Sequence, residues 1–557
     1  MEYINTDVLV IGGGGAGSRA ALSAKMFDSN LDITLATAGR YGFSGSTNFF
    51  ASETLGINAP YNFEDDGDDP RIYKNDIVET GLGLADKRLC KIISEEAILR
   101  IDDLVNLGMK FDSYSNGKLK QKKLSGCTKA RSLSAGGKTG IKIVNILKNE
   151  NQKKGVKVIE NCRLSELIVD DGSVYGGVFI AGGNHILITA KAVILATGGA
   201  GRIFYFNVNP KSICGDGFTA ALKAGAKITN MEFIQIGPGV VYPEVKFIIH
   251  SYMWSFLPRL LNKKKEEFLS DYLPDNLKSS DVLEAKRFSF PFSCRTISKY
   301  LDIAIFKEIT GGNATENGGI FLDISHLPDE DVKKKASVIY NTFKKKGFDI
   351  ISQPLEIALL VQSFNGGVIV DENGKTGVGG LFAAGEVSGG VHGADRPGGN
   401  NLIDCQVFGH RAGISAAAFA ANYYKKNNRR IIDLKACEIE KMIDFSGKED
   451  GKSLDSLKKL FSKYLSIVRN KNGISNVLDA TEEILWKGAE GNISKNSSVY
   501  NAALIGRAIA KSALLRKESR GSHYREDYPE KSSDFNRRIV VSLKDSEIFA
   551  KFEGIKY

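Results

Sequence analysis

A glycine-rich turn near the amino terminus constrains the fold more than any other stretch of this chain. Residues 7–11 are mostly apolar and β-branched, which is typical of a strand buried on both faces of a parallel sheet. Gly12, Gly14 and Gly17 follow in the G-x-G-x-x-G spacing, which permits a tight turn, a close approach to a pyrophosphate and close helix–strand packing. The helix should open at Ala16-Gly17, with the positive end of its dipole towards the phosphates.

The second strand of this unit ends at an unusual residue. Ile33–Ala36 predicts a short buried strand, and Thr37 follows it where an acidic residue usually binds the ribose hydroxyls. Threonine bonds a ribose less strongly. Taken alone, the glycine pattern also fits an ordinary tight strand–helix turn, so the later stretches decide between the two.

Three later stretches carry the same kind of signal. The loop at residues 39–48 is rich in glycine and serine, which predicts backbone close to a planar ligand, although an ordinary surface loop is the alternative. Residues 155–193 predict short strands, the last of which leads into Gly198 and Gly199. Residues 380–386 repeat the pattern, which indicates that the chain returns to the first sheet.

The chain of 557 residues is too long for one core. Residues 233–362 are dense in aromatic side chains and lack phosphate-type glycine loops, which predicts an inserted domain. We therefore assign residues 1–232 and 363–435 to a discontinuous nucleotide-binding domain and residues 436–557 to a helical C-terminal domain and tail.

Helices are predicted at about residues 402–421 and 500–517, the latter ending before Gly521. A further helix should present an apolar face between Leu454 and Val468 behind an N-cap at Ser453.

Charge and cysteine usage exclude several classes of function. A net charge of +10 without a long basic run argues against a nucleic-acid partner. The seven cysteines include no C-x-x-C pair, which argues against a metal or iron–sulfur site within the chain and fits a reducing, cytoplasmic setting. The lysine clusters at residues 263–265 and 344–346 fit solvated faces, or alternatively a docking patch for an acidic electron carrier.

No membrane span or export signal is expected. The first strand begins almost at once, which leaves no room for a signal peptide. The most apolar later stretch, residues 247–261, contains His250, Pro258 and Arg259.

The order of the motifs resembles the flavoprotein subunits of succinate dehydrogenase and fumarate reductase, together with L-aspartate oxidase. The likeness covers nearly the whole chain. Its matching segments are residues 7–20, 45–47, 196–202, 215–217, 231–233, 322–328, 380–386, 393–400 and 519–529. It implies an α/β fold in which a Rossmann-like FAD-binding domain carries an inserted α+β capping domain and a helical C-terminal domain.

The resemblance implies FAD as cofactor. Glu386 would hold a flavin-side hydroxyl, Asp216 would belong to the same site, and Asn401 and Leu402 would lie along the isoalloxazine. Membrane-bound members carry a covalently linked histidine at the position of Ser46, which cannot form that bond, so the FAD should be non-covalent. The remaining predicted cofactor residues are Gly12, Gly14, Gly15, Ala16, Gly17, Thr37, Ser44, Gly45, Thr47, Gly198 and Gly199.

Two arginines match the catalytic residues of the family. Arg295, in the inserted domain, matches the arginine that donates a proton while flavin N5 gives hydride to the neighbouring carbon of a C=C bond. Arg396 matches the clamp for the substrate carboxylate, a task that suits a planar guanidinium. The alternatives are a carboxylate pair for Arg295 and a structural ion pair for Arg396.

The substrate end departs from the family pattern. Gly237 and Gln362 stand where dicarboxylate-using members have histidines, and residues 250–259 replace a Thr-Glu-Gly-x-Arg-Gly segment. The sequence therefore predicts a pocket that grips one acid group and has a larger, more apolar far end. Met253, Trp254 and Phe256 are candidates for that end, with core packing as the alternative.

Two histidines are further substrate candidates. His250 lies in the rewritten segment, and His392 precedes Arg396, where a structural hydrogen bond is the alternative. The expected function is hydride transfer between flavin and a carboxylate other than fumarate. Fumarate reductase, succinate dehydrogenase or L-aspartate oxidase with altered ligands is one alternative, and an electron-transfer subunit without substrate chemistry is another. An iron–sulfur subunit or ferredoxin is the expected electron partner, by family analogy.

Overall fold

The computed structural model describes residues 1–48, 55–423, 429–444, 451–489 and 497–555. Its strands lie in five sheets. They are β1 (Glu2–Ile11), β2 (Ile33–Ala36), β3 (Ile57–Asn58), β4 (Gln121–Lys122), β5 (Ser132–Leu133), β6 (Lys157–Ile159), β7 (Cys162–Asp170), β8 (Ser173–Ala181), β9 (Asn184–Leu195), β10 (Ile228–Thr229), β11 (Ile234–Tyr242), β12 (Arg259–Leu261), β13 (Ile320–Asp323), β14 (Leu355–Phe364), β15 (Gly367–Ile369), β16 (Leu381–Ala383), β17 (Ser388–Gly389), β18 (Val468–Arg469), β19 (Tyr524–Arg525), β20 (Arg538–Lys544) and β21 (Glu547–Glu553).

The helices are distributed along the whole of the described chain. They are α1 (Gly15–Phe27), α2 (Pro70–Thr80), α3 (Lys87–Asn106), α4 (Thr139–Lys153), α5 (Asp216–Lys223), α6 (Ser251–Trp254), α7 (Ser279–Phe288), α8 (Lys299–Glu308), α9 (Asp329–Lys335), α10 (Ser337–Lys344), α11 (Asn400–Ala421), α12 (Arg429–Asp444), α13 (Gly451–Tyr464), α14 (Lys471–Ala489) and α15 (Ser498–Leu515).

The main sheet has the order β6–β2–β1–β9–β8–β7, with β16 paired to β9. Strand β1 runs parallel to β2 and β9, and β16 runs parallel to β9. Val8, Leu9 and Val10 are fully buried, as the apolar run predicts for a strand covered on both faces. Because β1, β2, β9 and β16 end at the same edge, the four glycine- or threonine-bearing loops that follow them converge there.

A second sheet has the order β11–β14–β13–β12 and is antiparallel throughout. Its strands come from the segment that the sequence assigns to the inserted domain, except that β14 runs two residues past the expected boundary at residue 362. The predicted α/β class is confirmed. The fold combines a sheet of the FAD-binding type with an inserted domain and a largely helical C-terminal part.

The C-terminal part differs from the sequence prediction in detail. Helix α13 begins at Gly451, so Ser453 lies inside it and is not its N-cap, and Val468 lies in β18. The β20–β21 hairpin was not predicted, and it pairs with β10 of the preceding domain. Helix α12 crosses the predicted boundary at residues 435/436, and its Ile432 packs in one cluster with side chains of β7 and β8. The domain boundary at residues 232/233 remains our proposal.

None of the helices in the described ranges is long and apolar enough to cross a membrane. Over the same ranges, no group of three or more His, Cys, Asp or Glu side chains is placed to hold a metal ion.

Candidate active site

A large cavity lies where the loops after β1, β2, β9 and β16 converge. It encloses about 1490 Å³, part of it open to solvent. Most of the residues that the sequence predicts as cofactor ligands line it: Gly12, Gly14, Gly15, Ala16, Thr37, Ser44, Gly45, Ser46, Thr47, Gly198, Asp216, Glu386, Asn401 and Leu402. Residues more than 380 positions apart in the sequence are thus gathered at one edge of the sheet. We call this space the flavin cavity.

Two glycines of the turn, Gly17 and Gly14, have different surroundings. A Cβ added at Gly17 would lie 1.8 Å from the carbonyl oxygen of Gly12, so Gly17 permits the close packing of α1 on β1. Gly17 does not line the cavity. A Cβ at Gly14 would meet nothing nearer than Thr47 Oγ1, at 3.9 Å, which leaves open space beside the turn, as the binding of a pyrophosphate requires.

The serine-rich loop is held against the same turn. Thr47 Oγ1 accepts a hydrogen bond of 3.2 Å from the backbone N–H of Gly15, at the start of α1. Ser46 Oγ donates to Asn209 Oδ1 at 3.4 Å. Asn209 also lines the cavity and was not singled out in the sequence.

The position of the Glu386 carboxyl group depends on the absence of a side chain at Gly199. Its Oε1 accepts from the backbone N–H of Phe364 at 3.0 Å, and a Cβ at Gly199 would lie 2.3 Å from that oxygen. Gly199 does not line the cavity, but its lack of a side chain leaves room for the Glu386 carboxyl group. Burial raises the pKa of Glu386 to about 7.

Asp216 has a partner that the sequence did not indicate. Arg163 donates to both of its carboxylate oxygens, with Nε–Oδ2 at 2.9 Å and Nη2–Oδ1 at 3.0 Å. This bidentate pair fixes Asp216 at the start of α5, on the cavity wall.

The cavity fits a large polar cofactor such as FAD. Three buried polar atoms on its wall have no hydrogen-bond partner among the described residues: Thr197 Oγ1, Gln362 Oε1 and Asp404 Oδ1. Unpaired buried polar atoms are costly, so a bound group with donors and acceptors would stabilise them. The N-terminal end of α1 adds a site favourable to phosphate.

A smaller cavity of about 670 Å³ adjoins the flavin cavity and shares Leu55, Gln362, Asn401 and Leu402 with it. We call it the acid cavity. Its remaining walls are Gly56, Leu124, Ser125, His250, Phe290, Pro291, Arg396, Gly398 and Gly399. Of the described residues that line it, Arg396 alone carries a charge.

Arg396 is only 7% exposed, and two of its guanidinium nitrogens are hydrogen-bonded to neighbouring residues. Its Nε donates to Gln235 Oε1 and its Nη1 to the carbonyl of Pro397, each at 2.9 Å. No partner among the described residues engages Nη2, so this nitrogen is free to bind a ligand. Burial lowers the pKa of Arg396 to about 10, which still leaves it charged at neutral pH.

Arg295 lines neither cavity. Its side chain is 28% exposed, and its Nε donates to Asp395 Oδ2 at 3.0 Å. Asp395 Oδ1 accepts from the backbone N–H of Arg396 at 2.9 Å and from Gln235 Nε2 at 3.4 Å. The two predicted catalytic arginines are therefore joined through Asp395 and Gln235, but only Arg396 reaches a cavity.

The three predicted substrate residues have different positions. Gln362 lines both cavities, and His250 lines the acid cavity with its Nε2 buried and unpaired. Burial lowers the pKa of His250 to about 4, so the imidazole is neutral at physiological pH. His392 lines neither cavity, and its Nε2 lies 3.3 Å from Asp404 Oδ2.

The apolar candidates belong to the core. Met253, Trp254 and Phe256 are at most 8% exposed and line neither cavity. Phe290 takes the place that we expected of them, and nothing in the sequence distinguishes it from the other aromatic residues of the inserted domain.

Comparisons with known proteins agree with this geometry. A family model described as FAD binding domain matches residues 7–402, and one described as Fumarate reductase flavoprotein C-term matches residues 454–551. The chain is 35% identical over 559 residues to a fumarate reductase (CoM/CoB) subunit of Methanothermobacter marburgensis, covering 98% of each chain. It is 30% identical over 539 residues to the L-aspartate oxidase of Saccharolobus solfataricus, covering 96% of this chain and 99% of that protein.

A solved structure of E. coli quinol fumarate reductase superposes with a TM-score of 0.84 at 25% identity, covering 100% of this chain and 98% of that one. Both the sequence and the fold are thus matched over almost their full length. The chain therefore belongs to the flavoprotein family of succinate dehydrogenase, fumarate reductase and L-aspartate oxidase, and it is an FAD-dependent oxidoreductase that acts on CH–CH or CH–NH₂ groups.

Proposed function

We propose that this protein transfers hydride between FAD and the C=C or CH–CH bond of a monocarboxylic acid rather than of fumarate. The observation that carries the proposal is the free Nη2 of Arg396 in a cavity that shares walls with the flavin cavity. A guanidinium in this position binds one carboxylate and holds the adjoining carbons beside the cofactor.

The far end of the acid cavity supports a substrate with a single acid group. Gly237 and Gln362 supply no imidazole for a second carboxylate, and His250 is neutral there. A second carboxylate in this cavity would be desolvated without a cationic partner among the described residues, which is strongly unfavourable.

Bound FAD supplies hydride acceptance and donation at its N5 atom. In the reducing direction, Arg396 orients the acid, and a proton must reach the carbon next to the one that takes hydride. Arg295 is our proposed source of this proton, because Asp395 and Gln235 link it to Arg396. Its present pairing with Asp395 requires that the side chain move towards the acid cavity when substrate binds.

The test is reoxidation of the photoreduced holoprotein under anaerobic conditions by crotonate, cinnamate and fumarate. We expect at least one monoacid to reoxidise the flavin with a kcat/KM roughly tenfold or more above that of fumarate. Fumarate turnover equal to or above that of every monoacid would contradict the proposal. Reoxidation by none of them would favour an electron-transfer subunit.

Fumarate reduction is the second candidate. It is favoured by the 35% identity to a protein named as a fumarate reductase, over 98% of both chains. The 30% identity to an L-aspartate oxidase adds amino-acid oxidation to the candidates, so L-aspartate is tested separately, as a reductant of the oxidised holoprotein.

We also propose an external electron partner. The relative from Methanothermobacter is named as one subunit of its enzyme, which supports an assembly with an iron–sulfur subunit or a ferredoxin. Reduction of the holoprotein by such a carrier, followed in a stopped-flow spectrometer, tests this part of the proposal.

Non-covalent attachment of FAD is a separate prediction. Ser46 stands at the position of the covalent histidine, and its hydroxyl group donates to Asn209. Acid precipitation of the yellow holoprotein should therefore leave a colourless pellet and release all FAD into the supernatant. Flavin retained in the washed pellet would contradict the prediction.

A further inference from the structure

Phe290 occupies the space that a side chain at position 237 would need. A Cβ built on Gly237 would lie 2.4 Å from Cε2 and 2.8 Å from Cζ of the Phe290 ring. Real Cβ atoms do not approach a ring this closely. Glycine at 237 and phenylalanine at 290 are therefore a matched pair, and an imidazole at 237 is incompatible with the ring as it stands.

The ring of Phe290 also contacts His250. Their ring centroids are 4.7 Å apart with an interplanar angle of 50°, within the range of favourable aromatic pairs. Both residues line the acid cavity, as does Pro291. We call these three residues the aromatic wall.

A buried ion pair lies close to the ring of Phe290. Lys286 and Asp302 are both completely buried, with Nζ and Oδ2 2.6 Å apart, and Lys286 Nζ lies 5.8 Å from the centre of the Phe290 ring. Two residues further on, the backbone N–H of Phe292 donates to the carbonyl of Ile236 at 2.7 Å, which ties this segment to β11 beside Gly237. The ring is thus held in place by the fold of the inserted domain.

The cavity combines this wall with a single cation. Leu55 and Leu124 add apolar surface, and Arg396 is the one charged residue among the described residues that line the space. A ligand that fits has a carboxylate for Arg396 and a flat or branched apolar group for the wall. The unpaired Nε2 of His250 permits one neutral hydrogen bond besides.

We infer that Phe290 and His250 determine substrate specificity, and that the substrate is an unsaturated monoacid with an aryl or branched-alkyl group beyond its double bond. This inference rests on the proposed function and names the substrate class of that same site.

Binding to the oxidised holoprotein tests the inference without turnover, because oxidised FAD cannot reduce an unsaturated acid. The dissociation constants of cinnamate and fumarate are measured from the change in flavin absorbance. The wild-type protein should bind cinnamate about tenfold or more tightly than fumarate. F290A should lower this preference about tenfold, and F290L, which keeps most of the volume but loses the ring, should lower it less. F288A is the matched control, since Phe288 is 67% exposed and outside the cavity, and it should leave the preference unchanged.

A second set of variants tests the steric pairing. G237H should lose stability and bound FAD, because its side chain meets the Phe290 ring. G237H/F290A should recover both and bind fumarate at least tenfold more tightly than F290A does. The inference is overturned if F290A and F290L keep the wild-type preference, or if G237H alone is as stable as the wild-type protein.

Failure of the inference and failure of the proposed function give different results. A cinnamate preference that depends on Phe290, with no reoxidation of reduced flavin by any acid, would reject the function and keep the binding assignment. If monoacids reoxidise the flavin but the Phe290 variants keep the wild-type preference for cinnamate over fumarate, the inference alone would be rejected.

Discussion

Replacing Arg396 with glutamine is expected to lower kcat/KM for the preferred acid by roughly 100- to 1,000-fold, which corresponds to about 3 to 4 kcal/mol. The variant loses the only cation among the described residues lining the acid cavity, and the carboxylate would be left desolvated and unpaired. Bound FAD should remain, because Arg396 does not line the flavin cavity. The measurement is anaerobic reoxidation of reduced flavin over a range of acid concentrations.

Two further variants make this result specific. R396K keeps the positive charge but cannot keep the planar contacts to Gln235 and the ligand together, so it should recover only part of the activity. R71Q is the control, because the Arg71 side chain is 91% exposed and lines neither cavity, and it should behave as the wild-type protein. An R396Q protein with more than half of the wild-type kcat/KM would contradict the assignment of the carboxylate clamp.

Alanine substitutions at Gly17 and Gly14 should fail in different ways. In G17A the new methyl group meets the backbone oxygen of Gly12, so α1 must shift away from β1. We expect a stability loss of roughly 1 to 3 kcal/mol or more, together with loss of bound FAD. In G14A the methyl group meets nothing nearer than Thr47 Oγ1, at 3.9 Å, so the apoprotein should melt as the wild-type protein does while FAD affinity falls.

The two variants are compared by the flavin-to-protein ratio after purification and by thermal melting of the apoproteins. We expect G14A to lose cofactor affinity without losing stability, whereas G17A should lose both. A G17A protein with full flavin content and the wild-type melting temperature would show that the close approach of Gly17 to Gly12 is not required.

The main sheet was predictable because its signals are local. A buried apolar strand followed by a glycine turn carries its meaning within about ten residues, and β1, β2, β9 and β16 each have such an ending. The β20–β21 hairpin was missed because its stability comes from pairing with β10, more than 300 residues earlier in the chain. The start of α13 was misplaced because Ser453 has the composition of a cap but lies within the helix.

The residues that line the cavities were predictable where a single motif places them there, and less so where residues from distant parts of the chain contact each other. Most of the predicted glycines, together with Glu386 and Arg396, lie on cavity walls, whereas Gly17 and Gly199 do not. The sequence does not show that Arg295 pairs with Asp395, because the same motif is compatible with an Arg295 side chain directed towards Asp395 or towards the acid cavity. It also could not find Phe290, because its role depends on the absent side chain of Gly237 and becomes visible only in space.

We expect Arg396 to hold a single carboxylate beside FAD. The most direct measurement is a crystal structure of the oxidised holoprotein with cinnamate. It should show FAD in the flavin cavity, the cinnamate carboxylate within hydrogen-bond distance of Arg396 Nη2, and the cinnamate ring against Phe290. FAD outside that cavity, or a carboxylate bound away from Arg396, would contradict it.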